Sequence, residues 1–360
     1  MQSILIKVFK FIVFIVVALV FILTGCINEK KKIDDNSEEM DRSIKAAFNV
    51  ENYGANGDDN KDDTSSILSA IDAAKNVGGG TVFIDSGKYL VKNFIDVPNN
   101  VSIIGAGKSK TILVRKDGKS ERVLSLHGDQ LLQGLGFNSK IGILVVGNNV
   151  TVLNCKFKST VQGIQNSISI NNLSIINSIF DGCGYGILSN KQPSFNVRIF
   201  NSHFINNTAD DIEINSPSRG WTIENSTFKN NKSQSSWSGF GVGVAVSAKD
   251  IKIKNSYFNN IKGQCVHVED YSEVNITNSY FKNCGSNDYK GSPKADIAVL
   301  SNANVEVSNS IFAESDKSFS KLAIYNTDKP IGGDVKVSAS KLYNKRVSIH
   351  VIKDNVKFLR

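Results

Sequence analysis

Proline is scarce in this chain, 5 in 360 residues, as are histidine (4), methionine (2) and tryptophan (2). Five cysteines are too few for a small domain held together by disulfides. Long apolar runs are missing apart from Phe11–Leu23, so a polytopic membrane protein is excluded. The 28 glycines follow no three-residue period, and no heptads run along the chain, which excludes a collagen and a long coiled coil. At 41% hydrophobic residues the chain is too apolar to stay disordered. Four histidines and widely spaced cysteines offer little to a metal-delivery protein. What the chain has in excess is asparagine: 40 residues, one in nine.

The first residues read as an address. Lys7 and Lys10 precede the apolar run Phe11–Leu23, which fits a signal sequence and is short of a bilayer span. Leu23-Thr24-Gly25-Cys26 resembles the lipobox of bacterial lipoproteins. The resemblance implies cleavage before Cys26, acylation of its thiol, and a protein held by lipid at the extracytoplasmic face of the cell membrane. An uncleaved N-terminal anchor would give the same location. Residues 1–25 are thus expected to be a signal peptide and 26–46 a polar tether, charged and without period. Formal charge falls from +8 to +6 when Lys7 and Lys10 are lost with the leader. Cys155, Cys183, Cys265 and Cys284 match no metal-binding spacing and are expected as buried free thiols.

A four-residue word, Asn-x-x-Phe, explains part of the asparagine surplus. It recurs at Asn154, Asn177, Asn201, Asn225, Asn255, Asn278 and Asn309, in steps of 23, 24, 24, 30, 23 and 31 residues. A period in the twenties marks a solenoid. Alternating apolar strands precede each word, and a second strand follows about ten residues after each Asn. The pattern predicts an all-β, right-handed parallel β-helix over 47–360: an N-terminal cap and first coils (47–115), repeats (116–330) and a C-terminal coil (331–360). Asn tolerates left-handed φ at a sharp turn and can bond its equivalent one coil away, about 4.8 Å off. The seven Phe are expected to stack inside.

Residues 52–91 carry a different pattern. Asp62-Asp63-Thr64 supplies a helix N-cap, Ile67, Leu68 and Ile71 follow at helical spacing, and Gly78-Gly79-Gly80 stops the helix. One amphipathic helix beside strands suits a cap over the end of the β-stack. Tyr53-Gly54-Ala55, Gly57-Asp58, Asp62-Asp63-Thr64, Gly79-Gly80-Thr81-Val82, Gly87-Lys88-Tyr89 and Ile104-Gly105-Ala106-Gly107-Lys108 resemble the N-terminal signature of the pectin-lyase-like superfamily. That resemblance implies the β-helix and a group that includes polygalacturonases, pectate lyases, alginate epimerases and phage tailspikes. The motif specifies the fold and no single activity, and its paired aspartates read as structural.

Chemistry on a β-helix usually sits where outward side chains of successive coils form a column. Aligning the second strands on Ile164, Ile187, Ile212, Val244, Val266, Ile297 and Ile324 puts Gln165, Leu188, Glu213, Ala245, His267, Ala298 and Tyr325 outward. The position before is read as outward too, and includes Asp211. Asp211, Glu213, His267 and Glu269 are the expected catalytic residues. Asp211 and Glu213, with Cα atoms roughly 7 Å apart, fall in the range of paired carboxylates in inverting glycosidases. Asp210, Asn215 and Arg219, with Trp237 and Tyr289 on the long insertions 232–241 and 285–294, are expected to bind substrate.

Asp210-Asp211 and His267 resemble parts of the polygalacturonase pattern, but the Asn-Thr-Asp and Arg-Ile-Lys elements are missing. The expected function is a surface-tethered glycoside hydrolase or polysaccharide lyase acting on an anionic polysaccharide, the alternative a non-catalytic glycan binder or adhesin. No metal site is read from the residues; a lyase reading would bring calcium as cofactor. Nucleic acid is not an expected partner, given the location.

Overall fold

A computed structural model of the chain describes residues 48–115, 122–235, 238–286, 294–327 and 332–360. Cys26, Trp237 and Tyr289 lie outside the described residues. Among those described, strands pair in parallel from coil to coil, one run forming a fifteen-strand sheet and a second run closing the remaining faces. The result is a right-handed parallel β-helix with one α-helix among the described residues, Thr64–Asn76, at its N-terminal end.

The helix forms as the sequence predicts, with one refinement. Asp62 Oδ1 accepts from Thr64 N (3.2 Å) and Thr64 Oγ1 (2.5 Å), so Asp62 satisfies the first turn. Asp63 accepts instead from Asn56 N (2.8 Å) and Leu90 N (2.9 Å), fastening the leading loop to the first coil. Ile67, Ala70, Ile71 and Ala74 form the buried stripe. Gly78, at φ +92°, ends the helix in a conformation that costs other residues more.

The repeat word does what its chemistry predicts. Asn154, Asn177, Asn201, Asn225, Asn255, Asn278 and Asn309 all adopt left-handed φ, between 48° and 53°. Asn201 Nδ2 donates to Asn177 Oδ1 at 2.7 Å across coils. The seven Phe stack with centroids 4.5–5.1 Å apart, and Phe137 extends the column by one ring. A serine ladder beside it has no counterpart in the sequence reading. The N–H groups of Ser178, Ser202, Ser226, Ser256, Ser279 and Ser310 donate to a serine Oγ of the next coil at 3.1–3.3 Å. Each Oγ donates in turn to a carbonyl two residues back. These buried turns therefore satisfy their polar groups without water.

Two of the four cysteines depart from expectation. Cys155 and Cys183 are free and buried, their thiols pushed up to about 12 by burial. Cys265 and Cys284 instead form a disulfide, with Cα atoms 5.5 Å apart. Cys284 ends a strand in register with Ile261, four residues before Cys265, so the bond crosses a corner between neighbouring coils, a proximity that spacing alone does not reveal.

Candidate functional site

The strand Ile212–Asn215 pairs in register with Val242–Ala245, which pairs with Val266–Val268. Ile212, Val242 and Val266 point into the core. Val242, not Val244, is the equivalent of Ile212, so the expected alignment was two residues out on that coil. A two-residue slip preserves which side faces out. It does change the neighbour: Gly243, and not Ala245, lies between Glu213 and His267. Glu213 and His267 are then two coils apart, roughly 10 Å.

A groove of about 190 Å³ opens on this column, lined by Tyr185, Asp210, Glu213, Asn215, Phe240, Gly243, His267 and Glu269 among others. Burial raises the pKa of Glu213, opposed by the bond its Oε1 accepts from Asn215 Nδ2 at 3.1 Å. Glu269 is shifted the other way, lowered chiefly by its bond to His267, whose Nε2 lies 3.5 Å from Glu269 Oε2. His267 itself is only 3% exposed. Its Nδ1 lies 3.3 Å from Gln264 Oε1, and its ring stacks on Phe240, centroids 4.3 Å apart. Tyr185 stays a phenol, pushed up to about 12 by burial and by the charges of Glu213 and Asp210.

Asp211 is not in this groove. It is wholly buried, and its Oδ1 accepts from Asn207 Nδ2 at 2.8 Å. The alternation rule failed there because Asp211 precedes the strand, at a turn where side chains no longer alternate. The expected Asp211–Glu213 catalytic pair is therefore absent. Burial pushes Asp211 up to about 8. Its folded value lies above the unfolded one near 4, so the folded state holds the extra proton, and stability falls as pH rises from about 4 to about 8. Asp211→Asn should keep the bond from Asn207 as an acceptor and flatten that slope. Thermal melts of the two proteins across this range check it, and parallel slopes would refute it.

Asp210 is likewise buried. Its Oδ1 accepts from Gly239 N (2.6 Å) and Phe240 N (2.8 Å), while burial, then the charge of Glu213, push its pKa well up. It is a wall of the groove and an anchor of the insertion. Asn215 lies on the groove, as expected. Arg219 does not: it starts a strand of the other sheet and lines a separate groove of about 390 Å³ with Asp250, Glu273 and Glu306. The Ser216–Ser218 turn separates the two faces. Trp221 packs in the core and donates to Ser194 O at 3.3 Å. The sequence reading missed Tyr185, Phe240 and Gln264. Tyr185 opens its strand two positions before the inward Ile187, so alternation would have placed it inside, and no signal in the sequence marked it for the groove.

Residues 47–134 match the family described as rhamnogalacturonase A/epimerase, pectate lyase-like. Alginate lyase 7 of Azotobacter vinelandii is 40% identical over 86 residues, 22% of this chain and 10% of that protein. The chain thus spans a tenth or less of the first curated relatives it matches. Plasmin and fibronectin-binding protein A of Streptococcus pneumoniae is 28% identical over 298 residues, 67% of this chain and 40% of that protein. The crystal structure of an alginate lyase from Paenibacillus superposes with a TM-score of 0.56 at 17% identity, covering 80% of this chain and 97% of that one. The pectin-lyase-like resemblance holds for the N-terminal segment and for the fold. The family match ends at residue 134, before the groove begins.

Proposed function

We propose that this chain cleaves an acidic polysaccharide, with Glu213 as proton donor and Glu269 as base. The observation that supports this is the opposite displacement of two carboxyl groups across one groove, one held towards its neutral form and one towards its charged form. Environments that separate two such groups create an acid and a base at the same pH. In hydrolysis, Glu269 takes a proton from water as its oxygen attacks the anomeric carbon. Glu213 gives a proton to the departing glycosidic oxygen. Asn215 orients Glu213, and His267 keeps Glu269 ionised. Burial shifts Asp210 and Glu213 towards their neutral forms, which lessens the negative charge an anionic sugar meets there.

The acidic substrate class rests on the alginate lyase relative and on the net positive charge, a weak attraction. Elimination is the competing chemistry, and calcium would belong to it. Incubation with oligogalacturonate and with alginate separates the two. Hydrolysis yields reducing ends only; elimination yields an unsaturated product absorbing near-ultraviolet light. Silence on both, and on a broad glycan panel, would leave the second reading, a glycan-binding or adhesive β-helix. The Streptococcus relative, matching over 67% of the chain, favours that one.

We also infer lipid attachment at Cys26 on the extracytoplasmic face. The lipobox-like tetrapeptide supports it, as does a disulfide suited to an oxidising compartment. Fatty-acid labelling that persists in Cys26→Ser would exclude it.

A further inference from the structure

We propose that Asp210 is a positioning residue: its Oδ1 clamps the end of the 232–241 insertion so that Phe240 lies flat over His267 and covers one face of the imidazole. One oxygen, Oδ1, accepts from two consecutive backbone N–H groups, those of Gly239 and Phe240, at 2.6 and 2.8 Å. These residues end the insertion, just before the strand Val242–Ala245. The Phe240 ring they deliver stacks on the His267 imidazole at 4.3 Å with an interplanar angle of 7°.

Gly243 supplies an independent sign that this placement is built in. It stands in register between Glu213 and His267. A Cβ there would lie 3.3 Å from Phe240 Cδ2 and 3.6 Å from Asp210 Oδ2. Gly243 does not have the left-handed backbone that requires glycine, so its lack of a side chain serves the space that Phe240 and Asp210 fill. With Gln264 at Nδ1 and Glu269 towards Nε2, the ring is enclosed at one face and at both nitrogens. Removal of the clamp leaves two loop N–H groups without their acceptor and frees the ring to leave.

The inference rests on His267 belonging to the proposed groove, not on turnover, so its test needs no substrate. The full chain is treated with diethyl pyrocarbonate, and acylation of each histidine is followed by peptide mapping. In the wild type His267 should react slowest. Asp210→Ala should raise its rate about tenfold or more, because local opening governs the exposure of a buried group. Asp210→Asn retains an oxygen acceptor and should restore protection. Phe240→Ala should match Asp210→Ala, and the double variant should add little to either. His127, His203 and His350 serve as internal controls, since general loosening would accelerate them too. Protection of His267 undiminished in both Asp210→Ala and Phe240→Ala overturns the proposal. So does an Asp210→Asn rate as high as that of Asp210→Ala.

Discussion

Glu213→Gln is expected to lower polysaccharide cleavage by about 10²–10⁴-fold, the range of a lost general acid, while leaving substrate binding nearly intact. Glutamine keeps the shape and the acceptor for Asn215 Nδ2 but has no proton to give. The pH profile carries a sharper signature. In the proposed mechanism activity requires Glu213 protonated and Glu269 ionised. Burial raises the first and the His267 bond lowers the second, so the active window lies between the two. Activity should fall at low pH as Glu269 gains its proton, and at high pH as Glu213 loses its own. Glu269→Gln should remove the acid limb together with most of the rate. Initial rates of both variants against pH provide the check. A Glu213→Gln enzyme within a few-fold of wild type would end the assignment.

The second large effect concerns the scaffold. Phe204 sits mid-column, stacked 4.7 Å from Phe180 and 4.9 Å from Phe228, and is completely buried. Phe204→Ala should cost about 3–5 kcal/mol, from lost burial and from the cavity left between rigid coils. Neighbouring rings cannot collapse into the gap, because ladder hydrogen bonds hold each coil at its spacing. Phe204→Leu keeps much of the volume and should cost clearly less. Urea unfolding of the three proteins measures this, provided the slopes agree. Since coils contact only their neighbours, a changed slope would report unfolding that has become local to that region. A loss below about 1 kcal/mol for Phe204→Ala would show that the column is not a stability element.

The scaffold was legible for a definite reason. Each coil meets only its neighbours, so the contacts that stabilise one coil recur in the next, and the recurrence is written along the chain. Asn154 to Asn309 and their phenylalanines could be placed without coordinates because left-handed turns and ring stacking are local demands repeated at a period. The N-terminal cap was legible because Asp62 and Gly78 serve helix ends with their own chemistry.

The site does not repeat, and there the reading reached only part of the answer. Glu213, Asn215, His267 and Glu269 could be grouped on one groove because strand alternation places them on one face. Asp211 was misplaced because one residue before a strand start is enough to turn a side chain inward. Arg219 was misplaced because a three-residue turn carried it to the other sheet. The partners of Asp210 and the cover on His267 depend on how an insertion folds back, and the Cys265–Cys284 bond depends on where a coil closes. The sequence alone determined the solenoid, its asparagine turns and its aromatic column, since those follow from short-range stacking. Only the tertiary structure decided which carboxyl groups face the groove and which are sealed beneath it, because strand ends and loop closures are set by contacts distant in the chain.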